Sequence, residues 1–476
     1  MKILFAASEA VPFIKSGGLA DVAGSLSKAL RNHRQACRVV IPLYEDIPEC
    51  HREGMRFITN FYVPLGWRNQ YCGVFEKTVG GVKFYFINNE YYFRRHGLYG
   101  FFDDAERFAF FSKAVLEMIQ YIDYEPEIIH CNDWQTALIP VYMNVFYRHL
   151  ERYRDIRTVF TIHNIQYQGT YDYKIRFDVL GLPESASGIV EFAKDCNLMK
   201  GGLEECDAIT TVSPTYADEI LDPWYSHGLH GILAGNRYKT RGILNGIDNT
   251  LYNPETDNAL TANYSAEKPD KKKICKKHLQ TSLGLEENPD AMMLAMITRL
   301  VGHKGIDLVQ NVLKNMMNMN IQFVLLGSGD WQYEKFFREA VMRYPGRISV
   351  NLAFDEPLSH RIYAGADAFL MPSRSEPCGL SQMIALSYGT IPIVRKTGGL
   401  NDSVRDFGGE NGNGYNFLNC DPYDMLNAVT RCYEDFQDKN CWREHVISAM
   451  ECDFGWSKSA KEYIALYREL IGESPA

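Results

Sequence analysis

Short apolar runs alternate with amphipathic helical patterns along this chain, and the alternation stops at a polar interval and then starts again. In the first half the runs fall at 3–7, 38–42, 82–88, 128–131, 158–163 and 208–213. In the second they fall at 292–298, 323–326, 348–352, 368–372 and 391–395, with a helical pattern over 306–319. Near-continuous apolar runs separated by helices are the pattern of parallel sheets buried on both faces. A length of 476 residues exceeds one ordinary core. The expected fold class is therefore α/β, with two doubly wound domains. The interval 249–289 is polar, Lys-rich and broken by Pro254, Pro269 and Pro289, which puts the boundary at 246–248. The expected domains are 1–246, 247–455 and a closing helix at 456–476 that crosses back to the first. On that helix Trp456, Ala460, Tyr463, Ile464 and Tyr467 share one face. Two such domains are expected to face a deep cleft, because open α/β sheets bind ligands at the carboxyl ends of their strands.

A net charge of -9 disfavours nucleic acid as a partner, since that binding depends on clustered cations. It leaves anionic small molecules open, provided cations gather locally. The 12 cysteines show no Cys-x-x-Cys pair and no His partner at zinc spacing, which reads as reduced thiols of a cytoplasmic protein. The opening apolar run is too short for a signal peptide, and no run approaches a membrane span. No membrane partner is expected.

The unusual chemistry sits in the turns. Lys15-Ser16-Gly17-Gly18-Leu19-Ala20-Asp21-Val22 follows the first run, where glycines at a helix start let backbone N–H groups approach an anion. It is neither a dinucleotide fingerprint nor a Walker loop. Arg299-Leu300-Val301-Gly302-His303-Lys304-Gly305 places a planar fork and a point charge around one strand-to-helix turn, suited to a pyrophosphate. Ser373-Arg374-Ser375-Glu376-Pro377-Cys378-Gly379-Leu380 joins a carboxylate for sugar hydroxyls to a helix start. Lys396-Thr397-Gly398-Gly399-Leu400 repeats the Gly-Gly turn. In the first half, His130-Cys131-Asn132-Asp133-Trp134 and Ile162-His163-Asn164-Ile165 end strands on polar groups, and Trp134 offers a plate on which a sugar could stack. A metal held by His130, Asp133 and His163 is the rival reading, against which no local pair has helical ligand spacing. The run from Lys268 through Lys273, with Lys276 and Lys277, reads as a solvated helix start.

Together with Thr211-Val212-Ser213-Pro214-Thr215-Tyr216 and Leu244-Asn245-Gly246-Ile247-Asp248, these loops resemble those of bacterial glycogen synthases and plant starch synthases over essentially the whole chain. The resemblance implies two Rossmann-like domains in the GT-B glycosyltransferase architecture. It implies transfer of glucose from ADP-glucose to the non-reducing end of an α-1,4-glucan, with retention. By that similarity Arg299, Lys304, Glu376, His163 and Asp133 form the catalytic set. Lys15, Gly17, Gly18, Asp21, Asn164, Asn245, Gly379, Leu380, Thr397, Gly398 and Gly399 bind substrate. Neither a cofactor nor a metal is expected, because fixed cations can stabilise a departing diphosphate. No carboxylate pair suggests a covalent glycosidase route, so front-face attack assisted by the leaving phosphate is the expected course.

The chain departs from the family pattern at Gln135, where His is usual, at Ser375, where Phe is usual, and at Arg94, where Asp is usual. Two alternatives stand beside the main reading. One is a related transferase using UDP-glucose or another acceptor; the other is a catalytically silent glucan-binding homologue.

Overall fold

The computed structural model describes residues 1–353 and 355–473, which form two compact units. One comprises 1–246 with the segment from 456 onward, and the other 247–455.

The first unit is built on β1 (Lys2–Ala6), β2 (Ala36–Pro42), β3 (Arg56–Leu65), β4 (Arg68–Val79), β5 (Val82–Asn88), β6 (Ile128–Asn132) and β7 (Arg157–Ile162). A small antiparallel sheet of β8 (Thr170–Asp172), β9 (Glu191–Phe192) and β10 (Asp195–Asn197) precedes β11 (Ala208–Thr211) and β12 (Thr240–Gly242). The main sheet runs β12-β11-β7-β6-β1-β2-β5-β4-β3, parallel as far as β5. β4 and β3 then add an antiparallel hairpin. β1 is central because its residues 3–6 are fully buried, as a strand covered on both faces requires. Strand order reverses at β1, between β2 and β6, so the loops leaving β1 and β6 emerge side by side at a switch point.

Helix Gly18–Asn32 buries Leu19, Val22, Ala23, Leu26 and Leu30, one helical stripe, and packs against helix Trp456–Leu470. The closing helix buries Trp456, Ala460, Tyr463, Ile464 and Tyr467. Its Tyr467 hydroxyl bonds His130 Nδ1 at 2.6 Å.

The second unit has one all-parallel sheet of β13 (Met292–Ile297), β14 (Ile321–Leu326), β15 (Ile348–Asn351), β16 (Ala368–Met371), β17 (Ile391–Arg395) and β18 (Tyr415–Phe417). Its order is β15-β14-β13-β16-β17-β18, so the switch point lies between β13 and β16. The loops that follow these two strands are those of Arg299 and Glu376.

The Lys-rich run is a solvated face only in part: Lys268, Lys271, Lys273 and Lys277 are exposed. Helix Lys272–Ser282 begins there, but Lys272 and Lys276 are buried. Lys272 Nζ donates to the carbonyls of Ala364 and Tyr388, each at 3.0 Å, and to Thr390 Oγ1 at 2.7 Å. Lys276 Nζ lies 2.6 Å from Asp367 Oδ2. These two lysines turn inward because helix Glu356–Gly365 and the ends of the neighbouring strands leave buried acceptors that need a donor.

Candidate functional site

In the second unit the candidate residues gather at the switch point. β13 runs into the exposed Arg299, a short 3-10 turn over Gly302–Lys304, and helix Ile306–Met316. Gly305 joins turn to helix at φ 70°, and a Cβ there would lie 2.1 Å from the Pro372 carbonyl oxygen. Only glycine lets the cation loop lie this close to the loop after β16. Arg374 N–H donates to the His303 carbonyl at 2.8 Å, closing the contact.

Across that contact Lys304 Nζ sits 2.6 Å from Glu376 Oε2, and Ser373 Oγ donates to the same oxygen at 2.8 Å. Arg395 Nε donates to the Ser373 carbonyl at 2.9 Å and fastens the loop from below. Gly399 N–H donates to the Glu376 carbonyl at 3.1 Å. Thr397, Gly398 and Gly399 are buried against the same loop. Gly379 and Leu380 lead into helix Ser381–Ser387, with Gly379 at φ 69° beside the Gln382 side chain. The two cations differ in their surroundings. Lys304 is held by a carboxylate, while the Arg299 guanidinium makes no ion pair or hydrogen bond among the described residues. Burial, then the Lys304 charge, depresses the His303 pKa, so this imidazole is neutral beside them.

In the first unit, Gly17 is the extended residue before helix Gly18–Asn32. Lys15 Nζ pairs with Asp21 Oδ1 at 2.8 Å, and Asp21 lies in the helix's first turn. The Ser16 N–H is taken by the Glu9 carboxylate. Glu9 is buried, and burial raises its pKa above the usual carboxylate range.

The loop after β6 carries the first unit's other polar centre. Asp133 has φ 55°, a backbone state that costs a non-glycine residue about 1–3 kcal/mol and that clusters at functional sites. Its Oδ1 accepts the His163 N–H at 2.7 Å and that of Asn164 at 3.4 Å. Lost hydration still pushes the Asp133 pKa up to about 7, against the lowering by those two N–H groups. Burial pulls His163 down to about 3, and its Nε2 bonds Asn132 Oδ1 at 2.9 Å, so the ring is neutral. Asn245, after β12, is buried, and its Oδ1 has no hydrogen-bond partner among the described residues.

Two expectations are corrected. Trp134 is no open plate: it is buried, edge-on to Phe108 at 5.1 Å and beside Tyr171, and a Cβ on Gly169 would fall 2.6 Å from its ring. His130 is a core histidine, bonded through both ring nitrogens to Tyr467 and Thr161. The positions that depart from the family pattern fall differently. Gln135 is buried with an unpartnered Oε1 among the described residues, Ser375 is half-buried beside Glu376, and Arg94 makes an exposed ion pair with Glu90 at 3.0 Å.

Glu9 and Arg395 are not candidates from the sequence, and Ser373 is one there only as a member of the Glu376 loop. A polar Ser8-Glu9 directly ending a buried strand was the available signal for the first. The other two act through partners distant in sequence or through a loop geometry that spacing does not reveal.

Residues 2–235 match the starch synthase catalytic domain family, and residues 283–446 match glycosyl transferases group 1. The chain is 51% identical over 476 residues to a glycogen synthase of Desulforamulus reducens, covering 99% of both chains. It is 48% identical over 475 residues to that of Geobacillus stearothermophilus, covering 99% of this chain and 98% of the other. The catalytic domain of starch synthase IV from Arabidopsis thaliana, solved bound to ADP and acarbose, superposes with a TM-score of 0.92 at 33% identity over 99% of each chain. A sucrose-phosphate synthase from Thermosynechococcus elongatus shares the fold, with a TM-score of 0.62 at 17% identity over 99% of this chain and 100% of the other.

Proposed function

Because this chain belongs to the glycogen and starch synthase family of GT-B glycosyltransferases, we propose that it transfers glucose from ADP-glucose to the non-reducing end of an α-1,4-glucan with retention at the anomeric carbon. The observation that carries this reading is the Arg299, Lys304 and Glu376 cluster at the switch point of the second sheet. Breaking a sugar–phosphate bond develops negative charge on the diphosphate and positive charge on the sugar. Arg299 meets the first as an exposed planar fork, and Lys304 as a point charge held in place by Glu376. The remaining Glu376 oxygen and the backbone around Gly379 and Leu380 are suited to glucose hydroxyls.

In the first unit the candidate groups differ in charge. Asp133 is a carboxylate above about pH 7, suited to positive charge developing on the sugar. Neutral His163 can donate or accept without adding charge. Asn245 has a buried acceptor suited to a hydroxyl, and Asn164, whose N–H faces Asp133, is assigned to the sugar by the family resemblance. Lys15, with Gly17, Gly18 and Asp21, offers a cation and a helix start to the donor. The ADP named for the Arabidopsis structure supports the choice of nucleotide.

The linkage test is direct. Transfer from ADP-glucose labelled in the glucosyl unit to maltoheptaose, followed by NMR of the product, is expected to give new α-1,4 signals from the first turnovers. A β-linked product would overturn retention, and no transfer to any glucan would overturn the assignment of the acceptor.

A further inference from the structure

Far along the chain from the switch-point loops, the second unit brings together three donor types on two successive helices. Asp435 lies near the end of helix Pro422–Gln437, and Cys441 and His445 sit one turn apart on helix Lys439–Met450. Contrary to the expectation of cysteines without a histidine partner, the i,i+4 spacing of Cys441 and His445 places both side chains on the same helical face. One carboxylate oxygen, the sulfur and one ring nitrogen lie within 4.8 Å of one another, and all three residues are half-buried. Cys441 Sγ is 3.6 Å from His445 Nε2. A tetrahedral zinc with Zn–S near 2.3 Å and Zn–N near 2.05 Å separates sulfur from nitrogen by about 3.6 Å.

The surroundings hold the donors in place. The Tyr415 hydroxyl, on β18, bonds Asp435 Oδ2 at 2.5 Å and lies 3.4 Å from His445 Nδ1, the arrangement by which outer partners orient metal ligands. Phe407 stacks on the imidazole at 3.6 Å and 15°. Asp438 caps the second helix by accepting the Asn440 and Cys441 N–H groups, which fixes where Cys441 begins. Asp435, Asp438 and Glu444 give the locale negative charge, which favours a dication.

We propose that Asp435, Cys441 and His445 form a binding site for a divalent transition metal of the zinc class, with water completing the coordination. Binding releases the Cys441 proton to solvent, converts the thiol to a thiolate, and pins the two helices to each other and to β18. The site is separate in sequence and chemistry from the transfer reaction, which does not depend on it.

The test uses the full chain, stripped of metal and titrated with Co²⁺, whose thiolate charge-transfer and tetrahedral visible bands report a Co–S bond. The wild type is expected to saturate at one equivalent with both bands. Cys441→Ser and His445→Gln are expected to weaken binding by more than about 100-fold, and Tyr415→Phe by about 10-fold, as loss of an outer partner does. Zinc should compete with cobalt and should protect Cys441 of the wild type from alkylation, read by mass spectrometry, which needs no variant to fold. Metal-free Cys441→Ser should keep normal glucosyl transfer. Cobalt bands of undiminished strength in Cys441→Ser would overturn the proposal by placing the thiolate elsewhere. Absence of saturable binding, or Cys441 alkylation indifferent to zinc, would overturn it by leaving only a thiol–imidazole hydrogen bond.

Discussion

Lys304 Nζ and Glu376 Oε2 are 2.6 Å apart, although 72 positions separate the two residues and they leave different strands of the second sheet. The pair is mostly buried, so each member holds the other in place. Lys304→Ala and Arg299→Ala are each expected to raise the barrier to glucose transfer by about 2–4 kcal/mol, the range for removing one preorganised stabiliser. Glu376→Ala should slow transfer comparably while ADP binding persists. Because Lys304 and Glu376 act together, the double variant should lose less than the sum of the singles. Lys304→Arg should rescue only partly, a fork replacing a point charge. Turnover, ADP affinity and melting temperature on the same preparations check this; strictly additive losses would show that the two act independently.

Gly398 sets the distance between the loops after β16 and β17. Its φ is 43°, and a Cβ would sit 2.0 Å from the Glu376 carbonyl oxygen. Gly398→Ala should therefore displace Glu376, cost about 1–3 kcal/mol of stability from backbone strain alone, and cut turnover sharply. Gly231→Ala, at an exposed helical position with nothing within 4 Å of the new methyl, is the control expected to leave turnover unchanged and stability no lower. Chemical denaturation and initial rates separate the cases.

Asp133 titrates near 7 in the folded chain. If its carboxylate supports positive charge on the sugar, kcat/KM should fall as pH drops through about 7, and Asp133→Asn should be slow and lose that acid limb. The same shift has a stability consequence. The unfolded chain releases this proton near 3.9 and the native chain near 7. Between those values the native state holds more protons, so this group lowers stability as pH rises. Asp133→Asn should abolish that slope, which melting temperatures across the range will measure.

Lys272 runs the opposite way. Burial lowers its pKa to about 7, whereas an unfolded lysine holds its proton to about 10.4, so stability from this group rises with pH between those values. Lys272→Met removes the donor to Ala364, Tyr388 and Thr390, at about 1–3 kcal/mol for acceptors left unmatched. Its destabilisation should be larger at pH 9 than at pH 6, with transfer unaffected at equal folded fraction. Equal destabilisation at both would contradict a buried, depressed lysine.

Much of the fold was legible because parallel strands buried on both faces leave continuous apolar runs. β1, β13 and β17 carry that signal. β3 did not, because its outer positions are exposed while only some inner ones are buried, which weakens the run. β18 is too short to stand out. The turns of Lys15, Arg299, Glu376 and Gly398 announced themselves by glycine and charge. What spacing could not convey was pairing across the chain, such as Lys304 with Glu376, or Tyr415 with Asp435. Nor could it show that Trp134 and Lys272 point inward, since amphipathic side chains reveal their direction only through the partners that surround them.

The donor assignment is tested most directly by initial rates of glucose incorporation into glycogen from ADP-glucose and from UDP-glucose at matched concentrations, with and without excess EDTA. The rate is expected to be far higher with ADP-glucose and unchanged by the chelator, if Arg299 and Lys304 supply the charge that steadies the departing diphosphate as proposed. Equal or faster incorporation from UDP-glucose would contradict the donor. Activity abolished by EDTA and restored by magnesium or manganese would contradict the two-cation mechanism.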